Sequence, residues 1–109
     1  MKKWYIIHGD NLEAAKAVFA AVSRYTVASC MHIRELTDEI QSGGSLIYVG
    51  VKGIIDVPKD GYRIKVFKNE SNNETVVLDG DGYANTLYAA MDFENKYLVK
   101  KEYLSIISL

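Results

Sequence analysis

Two periods of apolar and polar residues alternate along this chain, and the switches between them mark its elements. Trp4-Tyr5-Ile6-Ile7 is a compact apolar run broken by His8-Gly9, which predicts a first strand. Leu12, Ala15, Val18, Phe19 and Val22 then recur at helical spacing, while Glu13, Lys16 and Ser23 point elsewhere, so a helix is predicted over 11–25. Asp10 and Glu13 have the spacing of a capping box at its start. Residues 26–33 mix β-branched and small side chains and predict a second strand, with Arg34-Glu35-Leu36 leaving the sheet. Thr37-Asp38-Glu39-Ile40-Gln41 makes one turn of helix before Ser42-Gly43-Gly44 ends it. Ser45-Leu46-Ile47-Tyr48-Val49-Gly50 shows so little polar alternation that it is predicted as a central strand.

The stretch 60–98 organises the rest. Tyr62, Ile64 and Val66 alternate with Arg63 and Lys65, the period of a strand with one wet face. Thr75-Val76-Val77-Leu78 is shorter and richer in β-branched residues, which suits a more buried partner strand. Residues 68–74 hold no apolar side chain and form the solvated connection of an antiparallel hairpin. Asp79-Gly80-Asp81-Gly82 reads as a turn that launches a helix over 83–97, with Ala84, Leu87, Met91 and Leu98 lining one side and Ala90 and Tyr97 alongside.

Between these parts, 51–59 contains Gly53 and the lone proline, Pro58, and is a connection. The order strand, helix, strand, strand, strand, strand, helix packs most simply as an α+β fold. The expected form is a two-layer α/β sandwich, a mixed sheet of about five strands with the two main helices on one face. Residues 99–109 carry a basic cluster followed by Tyr103-Leu104-Ser105-Ile106-Ile107-Ser108-Leu109, read either as a last strand or as the start of a linker.

Length sets one domain, 1–109, large enough for a single core without a metal or disulfide staple. Thirteen Lys and Arg against fourteen Asp and Glu give no excess charge to attract nucleic acid or an anionic membrane. The apolar runs are far below the roughly 20 residues of a membrane helix. The single cysteine, Cys30, excludes an internal disulfide and leaves the redox compartment open. Met1-Lys2-Lys3 begins like a basic leader, but the apolar run after it stops at His8 and is too short for a signal core, so export would need a signal outside this sequence.

Several groupings tempt a chemical assignment. Asp79-Gly80-Asp81-Gly82-Tyr83-Ala84-Asn85 alternates oxygen ligands around glycines as a calcium loop does. With Asp79 and Asp81 as third and fifth ligands, however, Val77 and Tyr88 occupy the first and twelfth positions, and a turn with a capped helix start explains the aspartates better. His8-Gly9-Asp10 offers backbone amides to an anion, but the dinucleotide fingerprint is incomplete and Asp10 repels phosphate. Cys30 and His32 project to the same strand face without a second pair of zinc ligands, and read as a buried cysteine beside a half-buried histidine. Glu35, Asp38 and Glu39 suggest an acid/base pair, yet carboxylates around a short helix are ordinarily solvated. No catalytic residue, cofactor site or metal site is assigned. Asn69-Glu70-Ser71 and Asn73-Glu74-Thr75 match the glycosylation pattern. The eight tyrosines stand out, and Tyr83, Tyr88, Tyr97 and Tyr103 are the candidate sugar or partner contacts, alternatively core residues with hydroxyls at the rim.

One combination of elements carries a name. The strand Gly61-Tyr62-Arg63-Ile64-Lys65-Val66, the short apolar strand 74–78, the Asp/Gly turn and a helix with Leu87-Tyr88-Ala89-Ala90 before Asp92-Phe93 resemble the closing half of a known module. That module is the non-catalytic N-terminal domain preceding the barrel in family 67 α-glucuronidases and, more distantly, in family 20 β-hexosaminidases. The likeness extends over 4–98, with Ser45-Leu46-Ile47-Tyr48-Val49-Gly50 similar to the module's central strand; the turn and hairpin here are more polar than the family pattern. The resemblance implies a non-catalytic accessory domain of a glycoside hydrolase or related carbohydrate-active protein, not an enzyme on its own. It would act by packing on a neighbouring domain of the same polypeptide, through residues around 97–109 and the sheet face opposite the helices. Its location would be extracellular or periplasmic if the parent is exported. A free-standing oligosaccharide- or ligand-binding module is the alternative, and it requires a groove lined by the late tyrosines.

Overall fold

The computed structural model describes residues 3–99, Val99 by its backbone alone. Five strands, β1 (Lys3–His8), β2 (Val27–His32), β3 (Ser45–Val49), β4 (Tyr62–Lys68) and β5 (Glu74–Gly80), form one sheet in the order β2-β1-β3-β5-β4. The four strands from β2 to β5 in that row run parallel, and β4 closes the edge antiparallel to β5. The apolar strand β3 is central, as its lack of polar alternation predicts, and β5 is buried along its whole length. Helix α1 (Leu12–Ser23) joins β1 to β2, and α3 (Tyr83–Phe93) follows β5. Both pack on the same face of the sheet, which gives the expected α+β sandwich.

Register sorts the side chains into two faces. Ile47 of β3 lies level with Ile6 of β1 and Val76 of β5, and these three belong to the cluster under the helices with Trp4, Val18, Leu78 and Phe93. One residue on, Tyr48 lies level with Ile7 and Val77 on the opposite face, in a second cluster with Leu46. Among the described residues no long helix lies on that second face. A 3-10 turn (Ile33–Glu35), the six-residue α2 (Asp38–Gly43) and the connection 50–61 cover it with Ile33, Leu36, Ile40, Val51 and Ile55.

The two helices depart from expectation in instructive ways. The cap of α1 is Asn11, whose Oδ1 accepts from the Ala14 amide at 3.0 Å; Asp10 is exposed and does not form the predicted capping box. Leu12, expected on the inner face, is exposed, and Ala14 and Ala21 are buried in its stead. Asp79 and Gly80 belong to β5 and are not part of the turn. At Gly80 a Cβ would stand 2.3 Å from the backbone carbon of Asn85, so the strand passes the helix start at a distance only glycine allows. Gly82, at φ 89, is the cap residue of α3 and supplies no side chain, so the predicted aspartate cap is absent there. The buried stripe of α3 is Thr86, Ala89, Ala90 and Phe93, whereas Ala84 and Met91, predicted to face inward, are exposed. Close approach to β5 favours small residues on the inner stripe, and small residues give a weak apolar signal. Residues Glu94–Val99 continue as a π-helix, whose wider turn lets Phe93 and Leu98, five apart, both be buried while Tyr97 stacks on Phe93 at 5.4 Å. The expected last strand or linker at 99–109 lies outside the described residues, except for the Val99 backbone.

Candidate functional site

The tyrosines singled out in the sequence do not share one environment. Tyr88 lies on the outer side of α3 one turn before Met91, and the two are 54% and 58% exposed. Tyr62, on β4, donates to Asp92 Oδ2 at 3.1 Å, and Lys96 pairs with the same carboxylate at 3.3 Å, so Tyr62 is tied to the helix beside these residues. Desolvation and then the Asp92 carboxylate push the Tyr62 phenol above its ordinary value. Tyr83 stands at the start of α3 and donates to Glu13 of α1, a bond that raises its phenol as well. Tyr97 is half-buried against Phe93. Tyr103 lies outside the described residues.

Parallel α/β sheets usually receive ligands beyond the carboxyl ends of their strands, where connections leave in opposite directions. Here that place lies between β1 and β3 and holds a hollow of about 250 Å³ lined by Asp10, Asn11, Gly50, Lys52, Gly82 and Tyr83. Asn11 and Lys52 among its polar groups are already engaged within the protein. Asn11 caps α1 and donates to the Tyr83 carbonyl at 3.2 Å. Lys52 Nζ donates to Asp79 Oδ1 at 2.7 Å and to the Gly80 carbonyl at 2.8 Å. Asp79 is 1% exposed and its Oδ1 also accepts from the Gly80 amide, so Lys52 neutralises a buried carboxylate. These contacts stitch the three loops together.

The calcium pattern has no ligand set, since Asp79 turns to Lys52 while Asp81 Oδ2 accepts from the Asp60 amide at 2.7 Å. Among the described residues no group of three or more His, Cys, Asp or Glu is placed to hold a metal. Cys30 and His32 do share a strand face, but Cys30 is exposed, not buried, because β2 is an edge strand. Partial desolvation, and then the Glu35 charge, raise its thiol above the ordinary value. His32 caps the 3-10 turn: its Nδ1 accepts from the Arg34 amide and its own amide donates to Glu35. Glu35 is thus structural, and Asp38 and Glu39 are exposed at the start of α2.

A different kind of hollow opens on the second face of the sheet. It measures about 440 Å³, within the range of small-molecule sites, and sequence reading missed it. Its floor is Leu46, Tyr48 and Thr75, which the register places side by side on β3 and β5. Ile33, Leu36, Val51 and Ile54 from the covering segments complete the apolar lining, with Phe67 of β4, which lies level with Thr75. Gln41 and Asn69 close the remaining edge, where the Asn69 amide donates to the Gln41 carbonyl at 3.2 Å and ties the hairpin to α2. Burial pushes the Tyr48 phenol up, and the neighbouring Gln41 side chain opposes this. The contributing segments are dispersed through the chain. The available signal was that Leu46, Tyr48 and Val77 alternate onto a face for which only short irregular segments remained as cover.

No helix among the described residues is long and apolar enough to cross a membrane. Comparison of the chain with known protein families, with curated proteins and with solved structures found no match in any of the three.

Proposed function

We propose that this chain is a non-catalytic accessory domain of a glycoside hydrolase or a related carbohydrate-active protein, acting by packing on a neighbouring domain of the same polypeptide. The observation that carries the reading is the outer side of α3, where Tyr88 and Met91 stand exposed one turn apart and Tyr62 is bonded to the adjoining Asp92. Neighbouring large apolar side chains left in water are what a docking surface requires. Asp92 and Lys96 supply a polar margin to that surface, as at a typical interface rim.

The hairpin and helix on which the resemblance rests also support the reading. The segments beginning at Tyr62 and Glu74 pair as β4 and β5, and α3 folds back over both. The polar groups at the strand ends serve to hold loops together, which fits a scaffold better than a reaction centre.

The test begins with the reading frame from which the chain comes. A barrel-sized region beyond Leu109 is expected, along with protection of Tyr88 and Met91 from hydroxyl-radical labelling when that region is present. A stop codon immediately after Leu109, or equal labelling of both residues with and without the following region, overturns the proposal.

A further inference from the structure

The hollow on the second face has three properties that together define what it would hold. The first is neutrality. A quarter of the chain's residues are charged, yet none of the hollow's ten lining residues is Asp, Glu, Lys, Arg or His. An ion entering it would lose hydration with no opposite charge in the lining to replace it.

The second is shape. Leu46 and Tyr48 are nearly fully buried beneath the opening, while Ile54 and Phe67 at its mouth are 38% and 42% exposed. The wall elements therefore leave a way in. Aliphatic side chains and a phenyl ring in the lining suit a flat apolar body. The hollow is too small for a helix or a folded partner and large enough for one or two rings.

The third is a directed polar group. Tyr48 lines the hollow, and its phenol has a proton to give. Among the described residues no acceptor takes that proton. Asn69, also in the lining, is occupied by the Gln41 carbonyl and by the amides of Ser71 and Asn73.

We propose that this hollow is a binding site for a small neutral ring compound bearing a hydrogen-bond acceptor, which receives the proton of Tyr48 while its ring lies against the apolar lining of Ile33, Leu36, Val51, Ile54 and Phe67. A sugar ring is the wrong occupant, because its many hydroxyls would meet mostly aliphatic carbon and lose their hydrogen bonds. The inference is independent of the docking role, since the hollow lies on the face of the sheet opposite α3.

Titration of the 109-residue chain with acetophenone, followed by amide chemical shifts in heteronuclear NMR spectra, tests it. Saturable shifts are expected in residues 46–54 and around Phe67, with benzoate and methyl β-glucoside binding at least tenfold more weakly. Tyr48→Phe keeps the ring and removes the donor, so it should weaken acetophenone about threefold to tenfold. Phe67→Lys, on an edge strand that already carries lysines, should weaken it at least threefold while leaving the remaining spectrum in place. Absence of saturable shifts, shifts centred on Tyr88 and Met91, equal affinity for benzoate, or unchanged affinity in both variants would overturn the proposal. Failure here leaves the labelling experiment on α3 untouched.

Discussion

The two faces of this sheet are built from the same strands and are finished in opposite ways. Under α1 and α3 the side chains of alternate strand residues meet two regular helices, and Trp4, Ile6, Ile47, Leu78 and Phe93 are sealed from water. On the other face the next residues along the same strands meet a 3-10 turn, a six-residue helix and an irregular connection. Regular helices present stripes that interdigitate with a sheet, whereas short irregular segments cover it in patches. The difference separates two roles: one face supplies most of the cohesion, and the other retains space.

The sharpest way to break this contrast uses two adjacent residues of β3. Ile47→Ala opens a void in a dry, fully enclosed cluster and should cost about 4 kcal/mol in denaturant unfolding, toward the upper end for such truncations. Leu46→Ala enlarges a hollow that already exists and should cost about 2 kcal/mol. Equal losses in the two variants would mean that the faces are equally well packed.

A smaller effect is expected where the loops at the strand ends are held together. Lys52→Met leaves the buried Asp79 carboxylate with only the Gly80 amide and should destabilise by about 1–3 kcal/mol. The lysine side chain is itself 66% exposed, so water replaces part of what is lost. A change below about 0.5 kcal/mol would show that this stitching does not matter.

What could be read from the chain alone was whatever depends on local alternation. The hairpin of β4 and β5 was legible because Arg63 and Lys65 interrupt apolar residues at period two and 68–74 is wholly polar. The central place of β3 followed from its continuous apolar run. The cap of α1 was misread because Asp10 and Asn11 are adjacent and both are good caps; only the geometry selects Asn11. The inner stripe of α3 was misread because Thr86 is placed by the close approach of the helix start to Gly80, a long-range demand that leaves no hydrophobic trace. Of the candidate site residues, the exposed Tyr83 and Tyr88 were named from sequence, but the hollow was not. Its residues come from segments between Ile33 and Thr75 that only the β3-β5 pairing and the covering connections bring together.

The most direct measurement records intermolecular NOEs between acetophenone and a chain labelled at its Ile, Leu and Val methyl groups. If the two faces differ as described, the ligand contacts the methyls of Leu46, Val51 and Ile54 and is silent toward Val18, Ile47 and Leu78. Contacts to the methyls beneath α1 and α3, or none to the hollow, would contradict the account.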